Sequence, residues 1–375
     1  MENQILLKDQ LFNPERIRFV SGLIKGVYSD FDETAFLKKV IDKLPELELK
    51  QRIAWMRECL HEFLPQDYEK ALNILLRALP EECDPTKTDD DFGSFILAPF
   101  SDFVATYGCE EQYVDISLSA LQEMTKRFSA EDSIRFFIRE FPERTLNKMS
   151  EWSLSDNYHV RRLASEGSRP RLPWSQKVHL DNREVISKIL DNLYFDKTRY
   201  VVRSVANHLN DISKDDPGLV ISTLKRWTSS NKQNQKEMDY LTRHSLRTLI
   251  KAGSPYALEL LGYSHDTKVN VDDFQIQNDE VLIGGALDFS FALSSDADEK
   301  LMIDYIVHFR GKNGALRPKV FKIRKTTIKA DESILVKKKH PLRIMTTKKL
   351  YPGLHKVDVQ INGRVFEGGE FELKI

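Results

Sequence analysis

Hydrophobic and polar positions follow one rule in the first two thirds of the chain and another in the last. Up to about residue 266, apolar residues recur at three- and four-residue spacing between short polar turns, the pattern of amphipathic helices. Asn13-Pro14-Glu15 is a start signal, with Asn as N-cap, Pro at the first helical position and Glu in the first turn. Ile17, Val20 and Ile24 then fall on one face. The same pattern predicts helices over Asp32–Leu44, Glu48–Leu64, Asp67–Leu79, Glu111–Phe128, Ala130–Glu140 and Asn182–Leu193. Asp216-Pro217 starts another, and Met238–Ala252 ends at Gly253, a residue suited to a left-handed cap. Beyond residue 270 the period becomes two. Leu287, Phe289, Phe291 and Leu293 alternate with polar or small residues, as do Leu301, Ile303, Tyr305, Val307 and Phe309, and later Val357, Val359 and Ile361. Asn362-Gly363 marks a two-residue hairpin, and a last strand reaches Phe371, Leu373 and Ile375.

The helical part repeats itself. His159-Val160-Arg161-Arg162-Leu163-Ala164 recurs 41 residues later as Tyr200-Val201-Val202-Arg203-Ser204-Val205. A weaker copy, Tyr240-Leu241-Thr242-Arg243-His244-Ser245, lies 40 residues further on. Helix pairs at this period predict an all-α HEAT-like solenoid, whose units bury their apolar faces only by stacking. About seven short strands after it predict an all-β immunoglobulin-like sandwich. The expected division is therefore 1–266 for the helical-repeat domain and 271–375 for the sandwich.

Composition narrows the class. No apolar run approaches a membrane span, and Met1-Glu2-Asn3-Gln4 does not open a secretory signal. Cys59, Cys83 and Cys109 are odd in number and lack metal-ligand spacing, which points to a reducing cytoplasmic setting without structural zinc. The net charge of −1 hides an asymmetry. Arg310–Lys349 holds fourteen Lys and Arg against Asp331 and Glu332. Such a block, with Lys337, Lys338 and Lys339 at its centre, suits a polyanion, or serves only as a solvated face.

Candidate chemistry concentrates in Asn157–Trp174. Glu166 falls in the last turn of a helix, before Gly167, where the dipole disfavours an anion. Pro170 and Pro173 stiffen the exit loop, and Trp174 stands at its end. Asp211 repeats the carboxylate-in-last-turn pattern in the next repeat, whereas Glu131, in Ser129-Ala130-Glu131, reads as an ordinary helix start. Arg162, Arg203 and Arg243 occupy equivalent phases of the repeat, either packing within it or contacting phosphates. The alternative for the segment is equally concrete: Glu166 pairs with Arg162 and Trp174 plugs two helices.

The string Ser165-Glu166-Gly167-Ser168-Arg169-Pro170-Arg171-Leu172-Pro173-Trp174, with Ser129–Glu131 and Val205–Asp211, closely resembles the AlkC branch of the HEAT-like DNA alkylation-repair glycosylases. The resemblance spans the whole chain, sandwich included. It implies that Glu131, Glu166 and Asp211 are active-site carboxylates and that Trp174 contacts the lesion nucleotide. It further implies a duplex DNA partner bearing alkylated bases. Alkylation at N3 of adenine or cytosine makes the base a cation and a ready leaving group, so carboxylates need only stabilise the oxocarbenium-like sugar and position water. Arg161, Arg162, Arg169, Arg171 and Lys177 would surround this anionic centre with positive charge for phosphates, and His159 is a further candidate for contact with DNA or the lesion. With no lysine nucleophile in evidence, hydrolysis without a lyase step is expected. No cofactor, metal, membrane or obligate protein partner is implied. If Glu166 is exposed, its replacement by Gln should spare stability. The rival function is a non-enzymatic HEAT scaffold for nucleic acid or protein, distinguished by whether base is released from methylated duplex DNA.

Overall fold

The structure is a computed structural model and describes residues 6–87, 89, 92–343 and 349–375. Met1–Gln4 and Lys348 of the basic block lie outside the described residues.

Helix starts follow the capping residues. Asn13 accepts from the Arg16 backbone at the head of Pro14–Val27, Asp32 caps Glu33–Lys43, and Asp67 caps Tyr68–Arg77. Glu48 and Gln51 form a capping box on Leu49–Phe63. Besides the short Leu7–Leu11 and Pro255–Glu259, two longer helices escape the periodicity. Ala98–Tyr107 grows from the apolar run at Phe95–Phe100 and is buried on most sides, so it shows no polar face. Pro142–Trp152 opens with Pro at its first position. The expected Ala130–Glu140 helix begins only at Ile134, after a turn that holds Glu131. Met238–Ala252 is two helices, Gln235–Ser245 and Arg247–Lys251, interrupted at Leu246. Gly253 does take a positive φ of 74°.

The sequence repeat is a packing repeat. Helix Tyr158–Gly167 packs on Arg199–Ile212, which packs on Gln235–Ser245. The tyrosines that open successive repeats each receive an arginine from the preceding helix, though from different phases: the Arg162 guanidinium lies 4.5 Å from the Tyr200 ring, and Arg199 lies 3.8 Å from Tyr240.

Among the described residues the C-terminal part has eight strands: β1 (Val269–Ile276), β2 (Glu280–Leu282), β3 (Ala286–Ser295), β4 (Glu299–Arg310), β5 (Leu316–Ile328), β6 (Glu332–Pro341), β7 (Gly353–Ile361) and β8 (Arg364–Lys374). They form sheets ordered β1-β3-β6 and β2-β8-β7-β4-β5. Leu287, Phe289, Phe291 and Leu293 share one core with Leu301, Ile303, Tyr305 and Val307. Asn362 and Gly363 both have positive φ, 44° and 84°, as a type I′ hairpin requires. Contacts divide the chain into a unit of residues 1–220 with 226–245, and a unit of 221–225 with 246–375. The last helical residues thus group with the sandwich: Leu258 and Tyr263 pack on Met302. Among the described residues, no helix is long and apolar enough to cross a membrane.

Candidate active site

Glu166 is 5% exposed, not a surface residue. Gly167 explains why. It has no positive φ; a Cβ there would lie 2.5 Å from Ile134 Cγ2, so glycine lets the neighbouring helix close over this turn. Inside, Glu166 Oε1 accepts from Arg169 Nη1 at 2.5 Å and Oε2 accepts from Ser204 Oγ at 2.6 Å, with Arg162 Nη2 at 3.8 Å. Burial alone would raise the carboxyl's pKa. Arg162, Arg169 and the Ser204 hydroxyl outweigh it and hold the group below its ordinary value. The exposed Glu166 expected from sequence is corrected here, and with it the expectation that its charge is dispensable for folding.

The arginines extend the network both ways. Arg169 Nε donates to Asp211 Oδ2 at 2.9 Å, and Lys214 Nζ lies 3.2 Å from Asp211 Oδ1. Arg162 Nη1 donates to Glu131 Oε2 at 2.7 Å and to Ser129 Oγ at 2.9 Å. The result is an alternating chain, Glu131–Arg162–Glu166–Arg169–Asp211, that joins three separated sequence segments. Its members differ in access. The Glu131 side chain is 28% exposed against 6% for Glu166 and 3% for Asp211.

Glu131 faces a pocket of about 380 Å³ walled by Phe95, Phe128, Leu172 and Trp174, with Asp132, Lys50 and Arg162 among its polar lining. Glu166 and Asp211 do not line it. Trp174 is 81% exposed, so the inter-helix plug is excluded. Its φ of 62° is unusual for a bulky side chain. Pro173 followed by a positive φ has the pattern of a type II turn, whose third position normally holds Gly. The turn is tied down on both sides. Lys50 Nζ donates to the Trp174 carbonyl and lies 3.4 Å from Asp132, and Ser175 Oγ donates to Asp132.

The remaining predicted residues separate into buried and accessible sets. His159 is buried against the Tyr158 and Tyr200 rings, centroids 4.1 and 5.8 Å away, which corrects its expected contact with DNA or the lesion. Arg161 is committed to Asp196 through Nε at 2.5 Å and Nη2 at 3.1 Å, and Arg169 to the two carboxylates, so neither belongs to an open rim. Arg171 is half exposed and pairs with Asp215 at 2.7 Å, and Lys177 is exposed. Arg203 pairs with Asp89, and Arg243 is exposed with Nε on its own helix's Asp239 carbonyl at 3.0 Å. Lys337 and Lys339 are exposed on β6, whereas Lys338 turns inward, 5.8 Å from the Tyr305 ring.

Lys50 and Asp132 carried no local signal and, like Ser204, reach the site only through tertiary folding. Lys50, which no sequence pattern singled out, lines the pocket with its Nζ bound to the Trp174 carbonyl. Ser204 had a cue, because it follows Arg203 in the repeat. His208, fully buried, lies with Nδ1 3.0 Å from the Ser165 carbonyl.

Similarity to known proteins covers both parts of the chain. A family model described as DNA alkylation repair enzyme matches residues 111–251, and one described as Uncharacterised protein YhaZ, C-terminal Ig-like domain matches 270–375. Uncharacterized protein YhaZ of Bacillus subtilis (strain 168) is 34% identical over 367 residues, spanning 97% of this chain and 98% of that protein. Pseudomonas fluorescens alkylpurine DNA glycosylase AlkC, solved bound to DNA containing an abasic site analog, is 36% identical with a TM-score of 0.87, covering 98% of this chain and 99% of that one. Helical repeats, immunoglobulin-like sandwich and near full-length identity coincide, and the chain belongs to the AlkC-type DNA alkylation repair family.

Proposed function

We propose that the chain is a monofunctional DNA glycosylase that hydrolyses the N-glycosidic bond of cationic N-alkylated bases, of the 3-methyladenine and 3-methylcytosine type, in duplex DNA. The observation that carries this reading is Glu131, a pocket-facing carboxylate anchored by Arg162 to a buried chain of alternating charges.

The chemistry needs little else. An alkylated base leaves with the electron pair of its C1′–N bond and becomes neutral, so no acid is required. Positive charge then develops on the sugar, where a fixed anion stabilises it. Glu131 supplies that anion and accepts the proton of the water whose oxygen bonds to C1′. Arg162 fixes the carboxylate's orientation. Glu166 and Asp211 act one layer behind, holding Arg162 and Arg169 in place. Trp174 offers an aromatic face to the cationic nucleotide. Arg171, Lys177, Arg203 and Arg243 serve the phosphates, and Lys50 orders the Trp174 turn rather than forming an imine.

Single-turnover release of bases from methylated duplex DNA tests the assignment. Glu131→Gln should lower the rate by ~10²–10³ with a smaller drop in melting temperature than Glu166→Gln, because the Glu131 side chain is 28% exposed and solvent screens its pair with Arg162. Glu166→Gln should lower both rate and melting temperature, because removing one partner of a buried ion network costs about 3–5 kcal/mol. A Glu131→Gln protein excising at the parent rate removes the carboxylate from the mechanism. Borohydride trapping of a Lys50–DNA adduct would replace hydrolysis by a lyase route.

A further inference from the structure

Arg135, on helix Ile134–Glu140, is fully buried, and its partners are carbonyls rather than carboxylates. Nη1 donates to the carbonyls of Gly167 and Arg169, each at 2.8 Å, and Nε donates to the Gln176 carbonyl at 2.7 Å. Those acceptors sit at the two ends of one segment. It leaves the helix bearing Glu166, presents Arg169 to Glu166 and Asp211, passes Trp174 and ends at Gln176. Among the described residues, Nη2 is buried without a hydrogen-bond partner.

Such an arrangement is a poor investment for stability alone. A buried guanidinium held only by neutral acceptors forfeits hydration without a contacting counter-charge, and an apolar side chain of similar volume would fill the space at lower cost. Burial pulls its pKa down to about 10, with Asp132, Glu131 and Asp211 acting in the opposite direction from further away. What arginine alone provides is a rigid planar fork that reaches several acceptors at once, which a lysine ammonium on a flexible stem does not reproduce.

We propose that Arg135 is a positioning residue for base excision: its guanidinium clamps both ends of the 167–176 segment, fixing Arg169 against Glu166 and Asp211 and aiming Trp174 at the pocket. This rests on the glycosylase reading, because the property it governs is the placement of the excision machinery. Small displacements of catalytic groups reduce rates by about 10²-fold, so the clamp shows itself in the chemical step rather than in DNA capture.

The test uses the full-length protein with Arg135→Met and Arg135→Lys. Three quantities are measured well below each variant's melting temperature: single-turnover excision at saturating enzyme, affinity for abasic-analogue duplex, and the folded fraction by circular dichroism. Both variants should excise about 10²-fold more slowly while binding the abasic duplex as the parent does. The Arg135→Met loss should also shrink in a Trp174→Phe background, since both changes disable one segment. Parent-rate excision by folded Arg135→Met overturns the clamp. So does a loss matched by the folded fraction or by weaker abasic binding, or full additivity with Trp174→Phe. Failure of the parent protein to release any base sinks the glycosylase reading instead, before the variants are compared.

Discussion

Glu166 shows what a local sequence rule detects and what it leaves out. A carboxylate in the last turn of a helix is disfavoured by the dipole, and that violation pointed to the residue. Burial was illegible, because it depends on Ile134 closing over Gly167 and on two arginines, one of them in the following loop. Glu131 shows the opposite case. Its turn looks ordinary, and only Arg162 in the next repeat reveals it as the accessible end of the charge network. His208 extends the point to pH. With Nδ1 donating to the Ser165 carbonyl, burial, reinforced by Arg169, lowers its pKa to about 4 from 6.5. A base whose folded pKa is depressed binds protons more readily in the unfolded chain, so stability falls as pH drops from 6.5 towards 4. Urea unfolding of the full chain should lose about 3 kcal/mol across that window, and His208→Gln should flatten the slope. Glu166, held below its ordinary value, adds its own loss only at lower pH, as the solution passes through its folded pKa. An identical slope in His208→Gln would assign the acid sensitivity elsewhere.

Among the elements, the 168–175 loop has no regular secondary structure and yet has closely determined geometry. Pro170 and Pro173 made its stiffness legible. They did not reveal that Trp174 occupies a left-handed backbone position, or that Lys50, Arg135 and Asp132 secure the loop from three directions. Those anchors come from distant segments, beyond any local spacing rule. Holding a tryptophan at φ 62° stores strain of order 1–3 kcal/mol, which the anchors must exceed. Trp174→Gly should therefore raise thermal stability, or leave it unchanged where lost chain entropy offsets the relief. Excision should fall sharply, because the exposed ring is removed. A clear drop in melting temperature on Trp174→Gly would show that the ring supports the fold. By contrast, Ala98–Tyr107 was illegible for a simpler reason: a helix buried on most sides has no amphipathic period to display.

At the scale of the whole molecule, the change of hydrophobic period near residue 270 marks where strands begin, and β1 starts at Val269. Alternation along β3 and β7 exposed the core faces in advance. The basic block was legible as charge but not as surface, because a pleated strand divides neighbours between two faces. Both segments that carry most of it, β5 and β6, are edge strands of their sheets. Lysines on an edge strand also guard against pairing with other chains, so edge position alone does not imply DNA contact. The pleat separates the alternatives. Lys337 and Lys339 are exposed, Lys339 lying 3.2 Å from Asp288, while the Lys338 ammonium lies 5.8 Å from the Tyr305 ring. If β6 contacts the DNA backbone, Lys337→Ala and Lys339→Ala should each reduce the slope of log affinity against log salt by about 1. Lys338→Ala should leave that slope nearly unchanged and slightly lower the melting temperature through lost packing. Salt titration of duplex binding, with melting measured on the same preparations, resolves the three. Equal slopes for parent, Lys337→Ala and Lys339→Ala would identify this edge as protection against aggregation, leaving phosphate binding to the helical repeats.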